Sequence, residues 1–432
     1  MRAIGNILSN LPDRDTRNPI LTKKLLNSLG DPDTKQRNIL ITGSKGKGSV
    51  SRMISKLLEV HGYKVGLFTS PHLVNFNERI RINGIAISEE DLIKYAHIIE
   101  PHVEVIEKLL PENVYIGPVG ITSVIAMVYF LDCKTDFNVI ECGKGARYDD
   151  VCMNESAASV INSIFLEHVP QLGNNIAEIA YNKAGVLKSS QKQAFIAEQQ
   201  EDVFSVIRAA ADELKVDLKV YGKDFESQNV RISSRGTNFD VKTVSRVYKD
   251  LQLLLLGRHQ AKNAALAIGV VENFIGELYY EKVKSCLKKM TWPGRLEIIN
   301  NSPLTVLDGC INRESSKYIK EILSEINKKE MVIIIGIPDD KDFEGVLLEF
   351  KQIAFKIILT TTKNQYLKFT NKQQCIASEM LGEKYLFEKS LDHAIEKAYE
   401  IISEEGMLLI LGTQSLVREA KEFFNQDTTN LD

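Results

Sequence analysis

Nowhere in this 432-residue sequence do two cysteines stand in a CxxC pair. The six that occur, Cys133, Cys142, Cys152, Cys286, Cys310 and Cys375, are scattered, which speaks against a disulfide framework and a structural zinc site and suits a reducing cytoplasm. No uncharged apolar run reaches the roughly 18 residues a membrane span needs, and the opening MRAIGNILSNLPDRD has no long apolar segment of the secretory kind. Neither membrane insertion nor secretion is expected. Charge of one sign is missing too: 54 Lys and Arg against 57 Asp and Glu leave a net charge of -3. With no basic stripe and no aromatic platform, nucleic acid is not an expected partner. There is no solenoid-period repeat and no low-complexity tract, and only residues 425–432 read as a disordered tail.

What is present is an ordinary globular composition, 44% hydrophobic and 26% charged, over a length sufficient for two or three domains. Short β-rich apolar runs alternate with amphipathic helical patterns, the signature of βαβ units and an α/β fold with a parallel sheet. Residues 38–42 read as a buried strand. Residues 49–61 place Val50, Met53, Ile54, Leu57 and Leu58 on one helix face that Gly62 can close. A strand at 64–68 follows, then an alternating stretch over 76–87 around Asn83-Gly84, a hairpin signal, and Ser88 with Asp91 caps the next helix. Further strands are expected at 137–141, 158–164 and 193–197, with helices at 175–185 and 203–214. Residues 221–256 alternate with few helix formers and predict a small antiparallel patch, after which 260–274 is helical again. Beyond Trp292-Pro293-Gly294 a fresh α/β series begins, with strands at 304–307, 331–335, 355–359 and 407–411. The domain boundary is placed near Arg295, dividing the chain into 1–295 and 296–432.

The strongest chemical signal is ITGSKGKGS, residues 41–49, between a predicted strand and a predicted helix. Gly43, Gly46 and Gly48 let the backbone wrap an anion and turn its N–H groups inward, with Ser44 and Lys45 between them, and the helix N-terminus adds partial positive charge. Lys47 would reach the outer phosphates of ATP, and Ser49 supplies a hydroxyl for Mg²⁺. The spacing is two residues shorter than GxxxxGK[ST]. The shorter GxxGKGS form is the one of the Mur ligases, and the following LFTSPHLVNFNERIRINGIAIS, residues 67–88, resembles the corresponding stretch of folylpolyglutamate and dihydrofolate synthases in that superfamily. IECGKGARYDD, SIFLEHVPQLG, IAYNKAGVLK, LLGRHQAKNAALA, WPGRLEII and IPDDKDFEGVL continue the resemblance in order, to about Glu419.

The resemblance implies a P-loop, Mur-ligase-like ATPase domain plus a smaller C-terminal α/β domain, and a two-step reaction: ATP converts a carboxylate to an acyl phosphate, which an amino acid, glutamate in the family, then attacks. By position it implies Mg²⁺ ligation by Glu141 and His168 beside Ser49, catalytic roles for Lys47, His168 and Lys183, and adenine contacts from His259, Gln260 and Asn263. Lys183 matches a lysine that is carbamylated in many bacterial relatives. Arg295 is implied to reach the nucleotide phosphates and Asp308 the ribose. The loop Thr69-Ser70-Pro71-His72 would frame the carboxylate substrate, and Lys341 has either a structural role or one in the amino-acid pocket. The expected partners are a small-molecule carboxylate and an amino acid, and the expected state is a monomer.

The chain also departs from the family. DGAHNP is here Asp308-Gly309-Cys310-Ile311-Asn312-Arg313, so Ile311 replaces a histidine, and Arg313 stands where a proline would, with a guanidinium able to clamp a carboxylate. Gly-Leu-Gly-Gly-Arg is Gly143-Lys144-Gly145-Ala146-Arg147, Glu167 replaces an aspartate, and Val119-Gly120 stands for Phe-Glu. Three readings follow: glutamate addition to folate or a folate-like acid, the same chemistry on a non-folate acid in a specialised pathway, and a nucleotide-binding paralogue without catalysis.

Overall fold

The structure, a computed structural model, describes residues 18–431 except 112–113, 234 and 327–329. The helix Lys47–Val60 shows how the sequence becomes architecture. Its apolar positions Val50, Met53, Ile54, Leu57 and Leu58 are all buried, so one stripe faces the sheet. It begins at Gly46, held at φ +75°, and ends before Gly62 at φ +98°, both left-handed positions that favour glycine.

The strands β1 (Asn38–Thr42), β2 (Val65–Phe68), β3 (Ile80–Ile82), β4 (Ile85–Ala86), β5 (Phe137–Glu141), β6 (Ala158–Ile161), β7 (Gln193–Ile196) and β8 (Asp217–Val220) form one eight-stranded sheet in the order β4-β3-β2-β5-β1-β6-β7-β8. It is parallel except at β3 and β4, the hairpin foreseen at Asn83-Gly84, where φ of +49° and +80° makes the turn that right-twisted strands accept. Along β1 the side chains alternate between two cores: Leu40 faces the helices Glu89–Glu107 and Pro118–Asp132, whereas Ile39 and Ile41 face Lys47–Val60 and Arg258–Ile275. The antiparallel patch is β9 (Phe225–Ser233), β10 (Gly236–Thr243) and β11 (Val247–Leu253), whose Phe225, Phe239 and Leu251 join the second core.

A third sheet is built from β12 (Glu297–Asn301), β13 (Leu304–Asp308), β14 (Met331–Gly336), β15 (Lys356–Thr360), β16 (Tyr385–Glu388) and β17 (Met407–Gly412), in the order β12-β13-β17-β14-β15-β16. Only β12 runs antiparallel, and helices cover both faces. The α/β class and the second α/β unit expected from the sequence are both present.

Two expectations need correction. The strand expected over 158–164 ends at Ile161, because Asn162 and Ser163 turn their groups to the loop after β1: Ser163 O accepts from Ser44 N at 2.9 Å. The tail expected to be disordered is folded against the first sheet through 431, with Thr428 and Leu431 buried.

Just past the junction a buried ion pair ties the first strand of the second unit to its last helix and to the linker. Lys421 Nζ, on the helix Gln414–Phe423, donates to Glu297 Oε1 at 2.6 Å, and Glu297 Oε2 accepts from Gly294 N at 2.9 Å. Removing one partner strands the other charge, so Lys421→Met is expected to lower unfolding free energy in urea by about 3 kcal/mol. Adding Glu297→Gln to that variant should recover part of the loss, and no difference between the single and double variants would show that the pair is not coupled.

Candidate active site

The carboxyl ends of β5, β1 and β6 lie side by side, with Glu141 in register beside Ile41, where the chain passes from one flank of β1 to the other. Parallel sheets open their ligand crevice at such a switch point. The loop leaving β1 is fixed by close approach. Gly43 has φ +145°, and a Cβ there would meet Asn162 Cβ at 2.8 Å; a Cβ on Gly48 would press on the Trp292 indole at 3.0 Å. Ser44 Oγ is bonded to Phe165 of the loop after β6. Lys45 is exposed, and Ser49 is buried in the first turn of the helix.

Two ammonium groups converge on this loop. Lys47 Nζ donates to Gly43 O at 3.0 Å and Lys183 Nζ to the same oxygen at 2.8 Å. Lys183, on the helix Ile176–Ala184, is buried and also pairs with Glu167 Oε1 at 3.0 Å. Burial foremost, and then the neighbouring Lys47, lowers its pKa. Glu141, the last residue of β5, is 6% exposed, and burial raises its pKa against the opposing pull of Lys47, the Ser70 N–H and Arg295. Its Oε2 accepts from Ser70 N at 3.2 Å, which ties Thr69-Ser70-Pro71-His72 to the crevice. His168 is half exposed at φ +51°, with Glu167 Oε2 3.9 Å from Nε2. Burial first, then Lys144, Lys183 and Lys47, holds its pKa down despite Glu167.

The sequence-predicted residues are not all used alike. Gln260 and Asn263 come to the loop, but their amides bond inward: Asn162 Nδ2 donates to Asn263 Oδ1 at 3.0 Å and Asn263 Nδ2 to Gln260 Oε1 at 3.0 Å, behind Gly46. His259 is exposed and lies edge-on to Tyr318. Arg295 and Asp308 face each other at the junction, where Arg295 and Lys45 both favour the charged form of an Asp308 whose pKa burial raises. Arg313 is turned elsewhere: its Nε donates to Glu349 Oε1 at 2.8 Å, so the carboxylate it clamps is the protein's own. Ile311 packs on the core of the third sheet. Lys341 pairs with Asp340 on the surface. Asn162, which joins the loop to Asn263, was missed; its place directly after β6, beside the phosphate loop, is the signal that could have found it.

Among the described residues no group of three His, Cys, Asp or Glu side chains gathers for a metal. The donor set fits Mg²⁺ nonetheless, because that ion takes one or two protein oxygens and completes its shell with phosphates and water. Glu141 offers a carboxylate whose burial disfavours its charge, Ser49 a hydroxyl, and His168 a ring nitrogen.

A glycine-wrapped helix N-terminus with two lysines and a buried carboxylate, on a parallel sheet, is an arrangement suited to a polyphosphate. Family models described as "Mur ligase middle domain" and "Mur ligase, glutamate ligase domain" match residues 118–271 and 294–414. The dihydrofolate synthase/folylpolyglutamate synthase of Bacillus subtilis (strain 168) is 33% identical over 412 residues, 93% of both chains. Among solved structures, Mycobacterium tuberculosis folylpolyglutamate synthase complexed with ADP and AMPPCP superposes with a TM-score of 0.89 at 27% identity over 98% of each chain. The Thermotoga maritima folylpolyglutamate synthase gives 0.87 at 27% identity, over 100% of this chain and 98% of that one. The chain belongs to the dihydrofolate synthase/folylpolyglutamate synthase family and is, accordingly, an ATP-dependent acid–amino-acid ligase.

His72 supplies a test of the substrate loop. Its Nδ1 accepts from Arg79 Nε at 3.0 Å, and burial, with the Arg79 charge second, lowers its pKa from the usual 6.5. A histidine with a depressed folded pKa contributes stability that is complete above 6.5 and declines as pH falls from there towards the folded value. The His72 ring resonance should therefore titrate with a midpoint below 6.5, and Arg79→Met, which removes both the charge and the donor, should move that midpoint upward; a midpoint at or above 6.5 in the unsubstituted protein would contradict the geometry.

Proposed function

We propose that this ligase adds glutamate to folate or a folate-like acid, using the phosphate loop Gly43–Ser49 for ATP and Glu141, His168 and Ser49 for Mg²⁺. The observation that carries the reading is the convergence of Lys47 and Lys183 on one carbonyl beside a buried carboxylate, a cationic cradle that a polyphosphate would neutralise. The acid's carboxylate oxygen attacks the γ-phosphorus and ADP leaves with the bridging electrons. The amino group of glutamate then attacks the acyl carbon, phosphate departs and the ammonium proton is lost, leaving an amide. Lys47 draws charge from the transferring phosphoryl group. Lys183, bonded to Glu167, holds the loop in shape. Mg²⁺, when bound, supplies further charge neutralisation between the phosphates and the acid.

Residues 1–295 serve ATP and the acid and end on Arg295; residues 296–432 close the nucleotide site with Asp308 and carry the amino-acid side. Arg313 touches a carboxylate ligand only if Glu349 is displaced, so it stands as the weakest member of the site. The protein is read as a cytoplasmic monomer acting on soluble small molecules; no helix among the described residues is long and apolar enough to cross a membrane.

Incubation with ATP, Mg²⁺ and panels of pterin, folate and unrelated carboxylates with amino acids, followed by mass spectrometry, tests the assignment. A glutamylated folate is expected; turnover confined to a non-folate acid, or none at all, refutes it. Lys47→Ala should cut ADP formation by about 10³-fold or more while the folding transition stays within ~0.5 kcal/mol. Glu141→Gln should raise the Mg²⁺ concentration needed for half-maximal rate, and an unaltered magnesium curve would remove Glu141 from the metal site.

A further inference from the structure

The segment that sequence reasoning left as a loose tail is bonded to some of the most deeply buried charged residues of the first domain. The backbone of residues 427–431 runs beside the β3–β4 hairpin: Ala86 N donates to Thr429 O at 2.9 Å, and Ile85 and Asn430 form an antiparallel bridge. Arg81, 2% exposed, donates through Nη2 to Thr428 O at 2.6 Å and through Nη1 to Thr429 O at 2.7 Å. Arg52 Nη2 donates to Leu431 O at 2.5 Å. Thr428 Oγ1 donates to Glu78 Oε1 at 2.7 Å.

Glu78 is the link to the reaction. Its carboxylate accepts Leu73 N at 2.9 Å, Val74 N at 3.0 Å and Asn75 N at 2.8 Å, the three amides immediately after Thr69-Ser70-Pro71-His72. That loop in turn gives its Ser70 N–H to Glu141, and Leu73 directly after it packs against a core of the third sheet. A carboxylate that gathers three backbone donors fixes a loop strongly, but it is buried, and its orientation depends on its remaining donors. Here the fourth donor is Thr428, on the same Oε1 that takes Val74 N and Asn75 N, with Arg81 braced against the carbonyls of Thr428 and Thr429.

We propose that residues 427–431 form a strap that orients Glu78, and that Glu78 is a positioning residue for the acid substrate, holding the 69–75 loop against Glu141. The inference rests on the ligase reading above. Because the strap leaves the helix Gln414–Phe423 of the second domain and seats on the first, it also keeps the loop clamped between the two. Arg52 ties the strap to the helix Lys47–Val60 beyond Ser49, but none of these bonds reaches residues 43–49 themselves, so the strap acts chiefly on the acid side of the crevice.

The test compares the full chain with one ending at Gln426 and with Thr428→Val, which deletes only the bond to Glu78. Hydrogen exchange of peptides covering 69–79 and 176–184 needs no substrate. Ending the chain at Gln426 should speed exchange at 73–75 about tenfold or more and Thr428→Val about threefold, with 176–184, the helix of Lys183, unchanged. In turnover assays KM for the acid should rise by about tenfold on truncation while KM for ATP stays within about twofold. Unchanged exchange at 73–75 in both variants, or loosening shared equally by 176–184, overturns the strap. Equal shifts of both KM values overturn the positioning role. If the full chain turns over no folate-like acid, the ligase reading fails while the exchange result still decides the strap.

Discussion

The carbonyl oxygen of Gly43 accepts from two ammonium groups at once, and the geometry of the crevice follows from that sharing. Two like charges held this close repel by several kcal/mol at an effective dielectric near 20, so the arrangement persists only with compensation. Glu167 supplies part of it on Lys183, and the oriented amide dipole of Gly43 supplies more. The rest is what an anion would bring. The backbone must turn its oxygen towards both lysines without a side chain in the way, which is why Gly43 sits at φ +145° against Asn162. The Asn162-Asn263-Gln260 amide chain then makes the turn rigid from behind.

The same logic extends across the junction. Glu141 and Asp308 are both carboxylates whose pKa burial raises, one on each domain, and Arg295 acts on both. Lys47 attends the first and Lys45 the second. Cations from the phosphate loop and the linker therefore face carboxylates from both sheets, and a polyphosphate with its metal carries charges of both signs to match them. The buried Lys421–Glu297 pair, beside Gly294, keeps the linker arginine where it can serve either side.

How much of this was legible depended on whether a residue announces itself by period or by partner. The helix Lys47–Val60, the Asn83-Gly84 turn and the β-rich series after Arg295 were readable because apolar spacing and turn chemistry are local. The phosphate loop was readable because glycine and lysine at that spacing have one common use. The 425–432 tail was misread because its polar composition matches that of a loose end. What orders it is Arg81, Arg52 and Glu78, some 350 residues earlier and themselves unremarkable in sequence. Asn162 was hidden for a similar reason: nothing local separates a strand-end asparagine that braces a loop from one that meets water.

The departures from the family take on a physical meaning once their neighbours are known. Ile311, in place of a histidine, packs into the third sheet's core, and Cys310 beside it bonds Ser316 of the following helix. Arg313, in place of a proline, extends that helix with a backbone N–H to Asp342 and a guanidinium to Glu349, which also draws Lys320. Each change spends its side chain on holding the second domain together. The phosphate and metal groups of the first domain are untouched by them. Beside the first-domain departures at 119–120, 143–147 and Glu167, these two lie at the edge of the second domain, where the resemblance puts the amino-acid side, and a carboxylate ligand arriving there must compete with Glu349 for the Arg313 guanidinium.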